Sequence, residues 1–309
     1  MVRSLGDIDE PVFLRSAAKP FIAAAVVASG AAERFGFTAP EIAVMAASHN
    51  GEPFHVAAVA SMLEKIGLDA SALRCGAHPP SYEPAAAELA RAGVAATALH
   101  NNCSGKHAGI LALCRQSGDD LATYRKPGHP AQRRILAFCA RLTGDDPAQM
   151  PLGVDGCGIP VFATPLRRAA RAFARFATFD GVGDEDGAAL RVVRDAMTAA
   201  PAYVAGSERF ESALIAATHG YVVGKAGAEG VHADALLRAG LGLALKVVDG
   251  SRRAVPPATM ALLGEVGAFE AREHAALESF RRIEIRNVAG DGVGFVTTEP
   301  DTIGVPLAS

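Results

Sequence analysis

The stretch Phe13-Leu14-Arg15-Ser16-Ala17-Ala18-Lys19-Pro20-Phe21-Ile22-Ala23-Ala24-Ala25-Val26 holds the only S-x-x-K in the chain, set at the start of an alanine-rich helical run. A spacing of three puts the Ser16 hydroxyl and the Lys19 amine on one helix face. A desolvated Lys19 could take the proton of Ser16 as the hydroxyl attacks a carbonyl. Backbone N–H groups at the helix start would then face the developing oxyanion. Alone, the pattern also fits a serine cap followed by a surface lysine.

Two further motifs follow in order. Ser48-His49-Asn50-Gly51-Glu52 lies between the apolar run Ile42 to Ala47 and a helix that Pro53 opens. On its own it reads as an Asn-Gly turn before a helix cap. Lys225-Ala226-Gly227 ends a strand-like run, where a lone lysine is usually a solvated edge residue. Taken together, S-x-x-K, S-x-N and K-x-G resemble the serine β-lactamase and penicillin-binding set in order and context.

Asn101-Asn102-Cys103-Ser104-Gly105-Lys106-His107-Ala108-Gly109 gathers a thiol, an amine, an imidazole and hydroxyl and amide groups before an apolar helical stretch. It pairs chemically with Asp155-Gly156-Cys157-Gly158. Thiolates from two loops can bind zinc, although a structural site normally has four Cys or His ligands. His107, or a deprotonated Lys106, would complete the set; the other reading is buried thiols acting as small hydrophobes. Cys75, Cys114 and Cys139 are assigned to that second role. Five cysteines in a large chain argue against a disulfide framework. His55 and His129 are expected at helix starts, as caps or exposed residues, whereas His49 adjoins the S-x-N site.

With 309 residues, half of them hydrophobic, the chain can bury a large core. A net charge of -3, with no run of Lys or Arg longer than two, leaves no footprint for nucleic acid. The run from Pro20 to Gly36 is broken by Glu33 and Arg34 and is too weakly apolar to span a membrane. Asp7, Asp9 and Glu10 stand where a signal peptide would be basic, then apolar, so a cytoplasmic protein is expected.

Helical periodicity is clearest at 52–66, 105–116, 130–142, 166–176, 187–200, 208–219 and 257–269. Strand signals gather at 221–225, 230–233, 243–248, 281–288 and 294–297, with a glycine-rich hairpin between the first two. The order predicts an α+β fold. One catalytic unit over 1–309 is expected, with a helical region over about 40–210 and the chain ends combined into a sheet.

The residues resemble the rhizobial-type L-asparaginases, the asparaginase II family, over nearly the whole chain. Carrying the likeness are Ser-Leu-Gly-Asp at 4–7, Pro-Val-Phe-Leu-Arg-Ser at 11–16, Ser48 to Pro53, Cys75-Gly76-Ala77-His78, Asn101 to Gly109, His129-Pro130 with Gln132, Val154 to Gly158, and Lys225 to Gly230. That resemblance implies a serine β-lactamase/glutaminase-like fold, hydrolysis of L-asparagine to L-aspartate and ammonia, and a homodimer. It makes Ser16 with Lys19, and Ser48 with Lys225, two Ser-Lys tandems. Cys103, Lys106 and Cys157 become zinc ligands with water in fourth place. Asp155, His107, Ser48 and Arg15 become the substrate-binding candidates. Family members begin with a further strand pair before the segment that starts here at Ser4, so two strands are expected to be missing. The rivals are a glutaminase, a β-lactamase or esterase with the same three motifs, and a non-catalytic zinc or amino-acid binding protein.

Overall fold

A helix buried on nearly every side needs small residues all round, and Lys19–Ala28, with the sequence KPFIAAAVVA, has them: only its last two positions are not fully buried. In the computed structural model, which describes residues 1–299, this helix is the axis of the molecule. The helices Asp184–Ala199, Pro130–Thr143 and Ser104–Ser117 pack around it. Phe21 meets Phe173 and Phe176 edge-on at 5.0 and 5.9 Å between ring centres.

The helices Pro53–Lys65, Leu166–Thr178, Phe210–Ala217 and Val255–Glu265 lie close to the expected boundaries, whereas Glu83–Arg91 is a helix outside the expected set. Their ends follow local chemistry. Pro53 opens its helix after the extended Glu52, His129 caps the next by accepting from the Ala131 N–H, and Gly118 and Gly144 close theirs in the left-handed region.

Every strand pair is antiparallel, so the structure is mixed α and β with small sheets. β1 (Pro11–Phe13), β2 (Leu152–Val154) and β3 (Pro160–Pro165) form a sheet of order β1-β3-β2. β4 (Val222–Gly227), β5 (Val231–Leu236) and β6 (Leu241–Lys246) form a meander with Lys225 opposite Ala233. β7 (Ile283–Arg286) and β8 (Gly292–Val296) make a hairpin. The N-terminal strand pairs with β3, and among the described residues the last hairpin pairs only with itself. Short turns joining β4, β5 and β6 let each find its neighbour locally, whereas β1 offers only three residues of ladder. Residues 300–309 of the expected unit lie outside the described residues.

The meander is covered on both faces. Helix Leu166–Thr178 lies so close to β6 that a Cβ on Gly242 would stand 1.9 Å from the Ala170 carbonyl oxygen. A second apolar cluster, with Phe210, Leu214, Val222, Leu236, Met260 and Leu263, packs between the sheet and the helices Phe210–Ala217 and Val255–Glu265. That burial places Lys225, a strand lysine, wholly out of solvent.

Candidate active site

Ser16 sits in the 3-10 turn Arg15–Ala18, immediately before the central helix, and Lys19 is that helix's first residue. Arg15 holds φ at 52°, an uncommon conformation for a residue with a side chain, which marks a sharp entry into the turn. Gly227 explains why K-x-G ends in glycine: a Cβ there would lie 2.5 Å from the Leu14 carbonyl oxygen and 3.3 Å from the Ala17 nitrogen. The bare backbone lets the end of β4 lie against the Ser16 turn. Gly105 does the same elsewhere, since its Cβ would fall 2.2 Å from the Val44 carbonyl oxygen, bringing the Cys103–Lys106 segment against the helix Ala39–Met45 that leads to Ser48.

The S-x-x-K lysine is completely buried and reaches across to the second motif. Lys19 Nζ lies 2.5 Å from the Ala47 carbonyl oxygen, 3.4 Å from that of Asn102 and 3.0 Å from Ser48 Oγ. Burial pushes its pKa down, and the nearby Lys106 charge adds to this. A neutral amine has two N–H donors and one lone pair. Two carbonyls and one hydroxyl satisfy the three N–H donors of the ammonium; once a proton is lost, two donors remain for the carbonyls and the lone pair faces Ser48 Oγ. Ser16 Oγ, by contrast, has no hydrogen bond to protein among the described residues and faces the cleft.

Lys225 Nζ donates to the Ala226 carbonyl at 2.8 Å and lies 3.8 Å from Glu211 Oε1. Burial lowers its pKa to about 7, even though the Glu211 carboxylate opposes the shift. Glu211 and Arg209 are site residues that sequence reading missed. Glu211 is 2% exposed. Burial would raise its pKa, but Arg209 and Lys225 outweigh that and hold it at about 2. Arg209 Nη2 donates to Glu211 at 3.3 Å, while Nη1 donates to Ser48 O at 3.3 Å and Asn50 Oδ1 at 3.1 Å. The chain Lys225–Glu211–Arg209 therefore ties the third motif to the second. At the start of an amphipathic helix, Arg209 and Glu211 resemble ordinary capping and dipole residues, and only the burial of Glu211 and the contacts of Arg209 separate them from that reading.

His49 also acts within this frame. Its Nδ1 accepts from the Gly51 N–H, which leaves Nε2 to donate to Ser104 Oγ at 2.9 Å. Ser104 in turn donates to the Leu99 carbonyl. Burial holds His49 well below its usual pKa. The expectation for His55 is corrected: it is neither cap nor surface residue but fully buried, stacked on His49 at 4.8 Å and in contact with the Ala202 carbonyl at 3.2 Å. Two adjacent apolar-walled imidazoles are each stabilised in neutral form, and burial lowers the His55 pKa to about 4.

The Asn101–Gly109 segment meets the Asp155–Gly158 loop deeper inside. Lys106 Nζ is 3.2 Å from Cys157 Sγ. Burial opposes the Lys106 charge, yet Cys103, Cys157 and Asp155 outweigh it and raise its pKa. A hydrogen bond from Cys157 holds Cys103 far toward the thiolate and keeps the proton on Cys157. Among the described residues no three His, Cys, Asp or Glu side chains gather as a metal set. A zinc ion on Cys103 and Cys157 would thus need the Lys106 amine as its third donor. Two thiol groups and an amine converging out of solvent fit that chemistry, provided the metal displaces the Lys106 proton.

All five cysteines are free and buried. Burial, helped by the neighbouring Cys103, lifts Cys75 to about 11; burial, helped by Asp119 and Asp120, lifts Cys114 to about 12, and burial alone does the same for Cys139, as expected of inert thiols. His107 is buried, with Nδ1 2.6 Å from the Tyr124 hydroxyl and Nε2 without a partner. Asp155 and Arg15 are engaged with each other at 2.7 Å, and Arg15 also reaches Glu229 at 3.0 Å. Burial pushes the Asp155 carboxyl up, but Lys106 and Arg15 together hold it below the usual carboxylate range.

A cleft of about 390 Å³ opens over this assembly, lined by Ser16, Ser48, His49, Asn50, His78, Ser81, Asn102, Arg209, the Ala226–Ala228 backbone and Arg252. Asp155, His107 and Arg15 do not line it. The L-asparaginase II family model matches residues 1–298. The chain belongs to the L-asparaginase II family. No curated protein matches it. Membership in this family makes it a hydrolase of the asparaginase type acting on a small substrate. No helix among the described residues is long and apolar enough to cross a membrane.

Proposed function

We propose that the protein hydrolyses L-asparagine to L-aspartate and ammonia by acyl transfer through Ser16. The observation that carries this reading is the buried Lys19 amine, 3.0 Å from the Oγ of Ser48, which lines the same cleft as Ser16. As Ser16 Oγ forms its bond to the side-chain amide carbon, its proton moves to Ser48 while the Ser48 proton moves to Lys19. Backbone N–H groups of the Ser16 turn and of the segment after Lys225 face the oxyanion. The C–N bond then breaks, the leaving nitrogen takes a proton from Lys19, and ammonia departs. Water attacks the β-aspartyl ester with Lys19 again as base, and the proton returns to Ser16.

Lys225, with a pKa of about 7, supplies a second amine that takes up or gives back a proton at neutral pH. Cys103, Lys106 and Cys157 would hold zinc. A bound zinc ion would add a fixed positive charge that orients the substrate and keeps Lys106 unprotonated.

The test is ammonia release from asparagine and from glutamine, wild type against Ser16→Ala. Loss of about a thousandfold or more in kcat is expected for a nucleophile acting with its base. Wild-type turnover in Ser16→Ala would sink the mechanism, and glutamine preferred over asparagine would move the assignment to a glutaminase, from which one methylene separates it.

A further inference from the structure

Among the described residues no acidic side chain lines the cleft over Ser16 and Ser48, but two guanidinium groups do, Arg209 and Arg252. They differ in state. Arg209 is held by Ser48 O, Asn50 Oδ1 and Glu211, so its position is set before anything binds. Arg252 begins the 3-10 turn Arg252–Ala254, is exposed, and has no hydrogen bond or ion pair among the described residues. Its neighbour Arg253 is equally exposed but does not line the cleft.

An open guanidinium that lines the same cleft as a fixed one, with no carboxylate of its own, is a receptor for a planar anion, which it can grip with paired N–H donors. The opposite sign of charge is accounted for elsewhere. Asp155, the acid of the adjoining loop, does not line the cleft and is paired with Arg15.

We propose that Arg252, on the cleft that Arg209 also lines, binds the α-carboxylate of the substrate, so that the cleft selects amides that carry a free α-carboxylate. The inference rests on the amidohydrolase reading and names its substrate class. Arg252 touches substrate but no reacting atom, so its effect falls on binding: KM moves while kcat holds.

The test compares asparagine with 3-aminopropanamide, which is asparagine without its α-carboxylate. Wild type is expected to favour asparagine by tenfold or more in kcat/KM, mostly through KM. Arg252→Ala should raise KM for asparagine about tenfold or more, as befits a lost charge-assisted pair, with a loss at least tenfold greater for asparagine than for 3-aminopropanamide. Arg252→Lys should recover part of it, because charge returns without the fork. Equal losses on both amides, or an unchanged KM for asparagine, would overturn the proposal. If wild type releases no ammonia from either amide, the amidohydrolase reading fails, and calorimetric binding decides the carboxylate site alone. Tighter binding of asparagine than of 3-aminopropanamide, abolished in Arg252→Ala, supports it; equal binding of the two overturns it.

Discussion

Two lysines of like chemistry are prepared differently at this site. Lys19 has two carbonyls and a hydroxyl around a buried amine, with no carboxylate beside it, and burial lowers its pKa. Lys225 has one carbonyl and a carboxylate, which favour its charged form against burial. The groups acting on Lys225 are Glu211, Lys19, Arg209 and Cys103. Replacing Glu211 by Gln keeps an acceptor for Arg209 and removes the one carboxylate that raises the Lys225 pKa. If the acid limb of kcat/KM follows Lys225, it should lie near pH 7 in wild type and move to lower pH in Glu211→Gln. A profile of ammonia release from pH 5 to 9 checks this, and an unmoved limb would remove Lys225 from the rate law. Lys19 and Lys225 were legible because their motifs are short and local. Arg209 and Glu211 were not, because charge at a helix start carries no mark of burial.

The elements followed their periodicity closely, since a 3.6-residue apolar stripe or a glycine-bounded hairpin is a property of a few consecutive residues. Their pairing across the chain was less legible. The expected Ser16–Lys19 contact on one helix face is replaced in the structure by a Lys19–Ser48 hydrogen bond. The Asn102 and Ala47 carbonyls draw the amine across, and Ser16 lies in a 3-10 turn ahead of the helix. The end of β4 governs that turn's place. Gly227→Ala would press a methyl into the Leu14 carbonyl and push the two segments apart. Overpacking against backbone should cost about 1–3 kcal/mol, read as a lowered urea midpoint. It should also cut kcat by about tenfold or more through misplacement of Ser16. A variant as active as wild type would show that the approach of β4 is not needed.

For the whole molecule, the buried charges make stability depend on pH in two windows. Glu211, held at about 2 against an ordinary 4.5, contributes stability that is complete above pH 4.5 and is lost as pH falls toward 2. Lys225, lowered to about 7 from 10.5, carries the full cost of its buried charge below pH 7, and that cost is relieved as pH rises toward 10.5. Urea midpoints should therefore fall between pH 4.5 and 2, less steeply in Glu211→Gln, and wild type should gain from this lysine between pH 7 and 10. A Lys225→Met variant should lack that alkaline gain; an identical slope in both proteins would count against the buried lysine as its source. The amino-acid order alone determined the α+β character, most of the longer helices, the family and the short motifs, because each is carried by short runs of neighbouring residues. Which lysine meets which serine, the burial of Glu211 and His55, and the convergence of Ser16, Ser48, Arg209 and Arg252 on one cleft were decided by packing. Those contacts join segments tens to hundreds of residues apart, and their energies depend on excluding water, a property that no single stretch of the chain possesses.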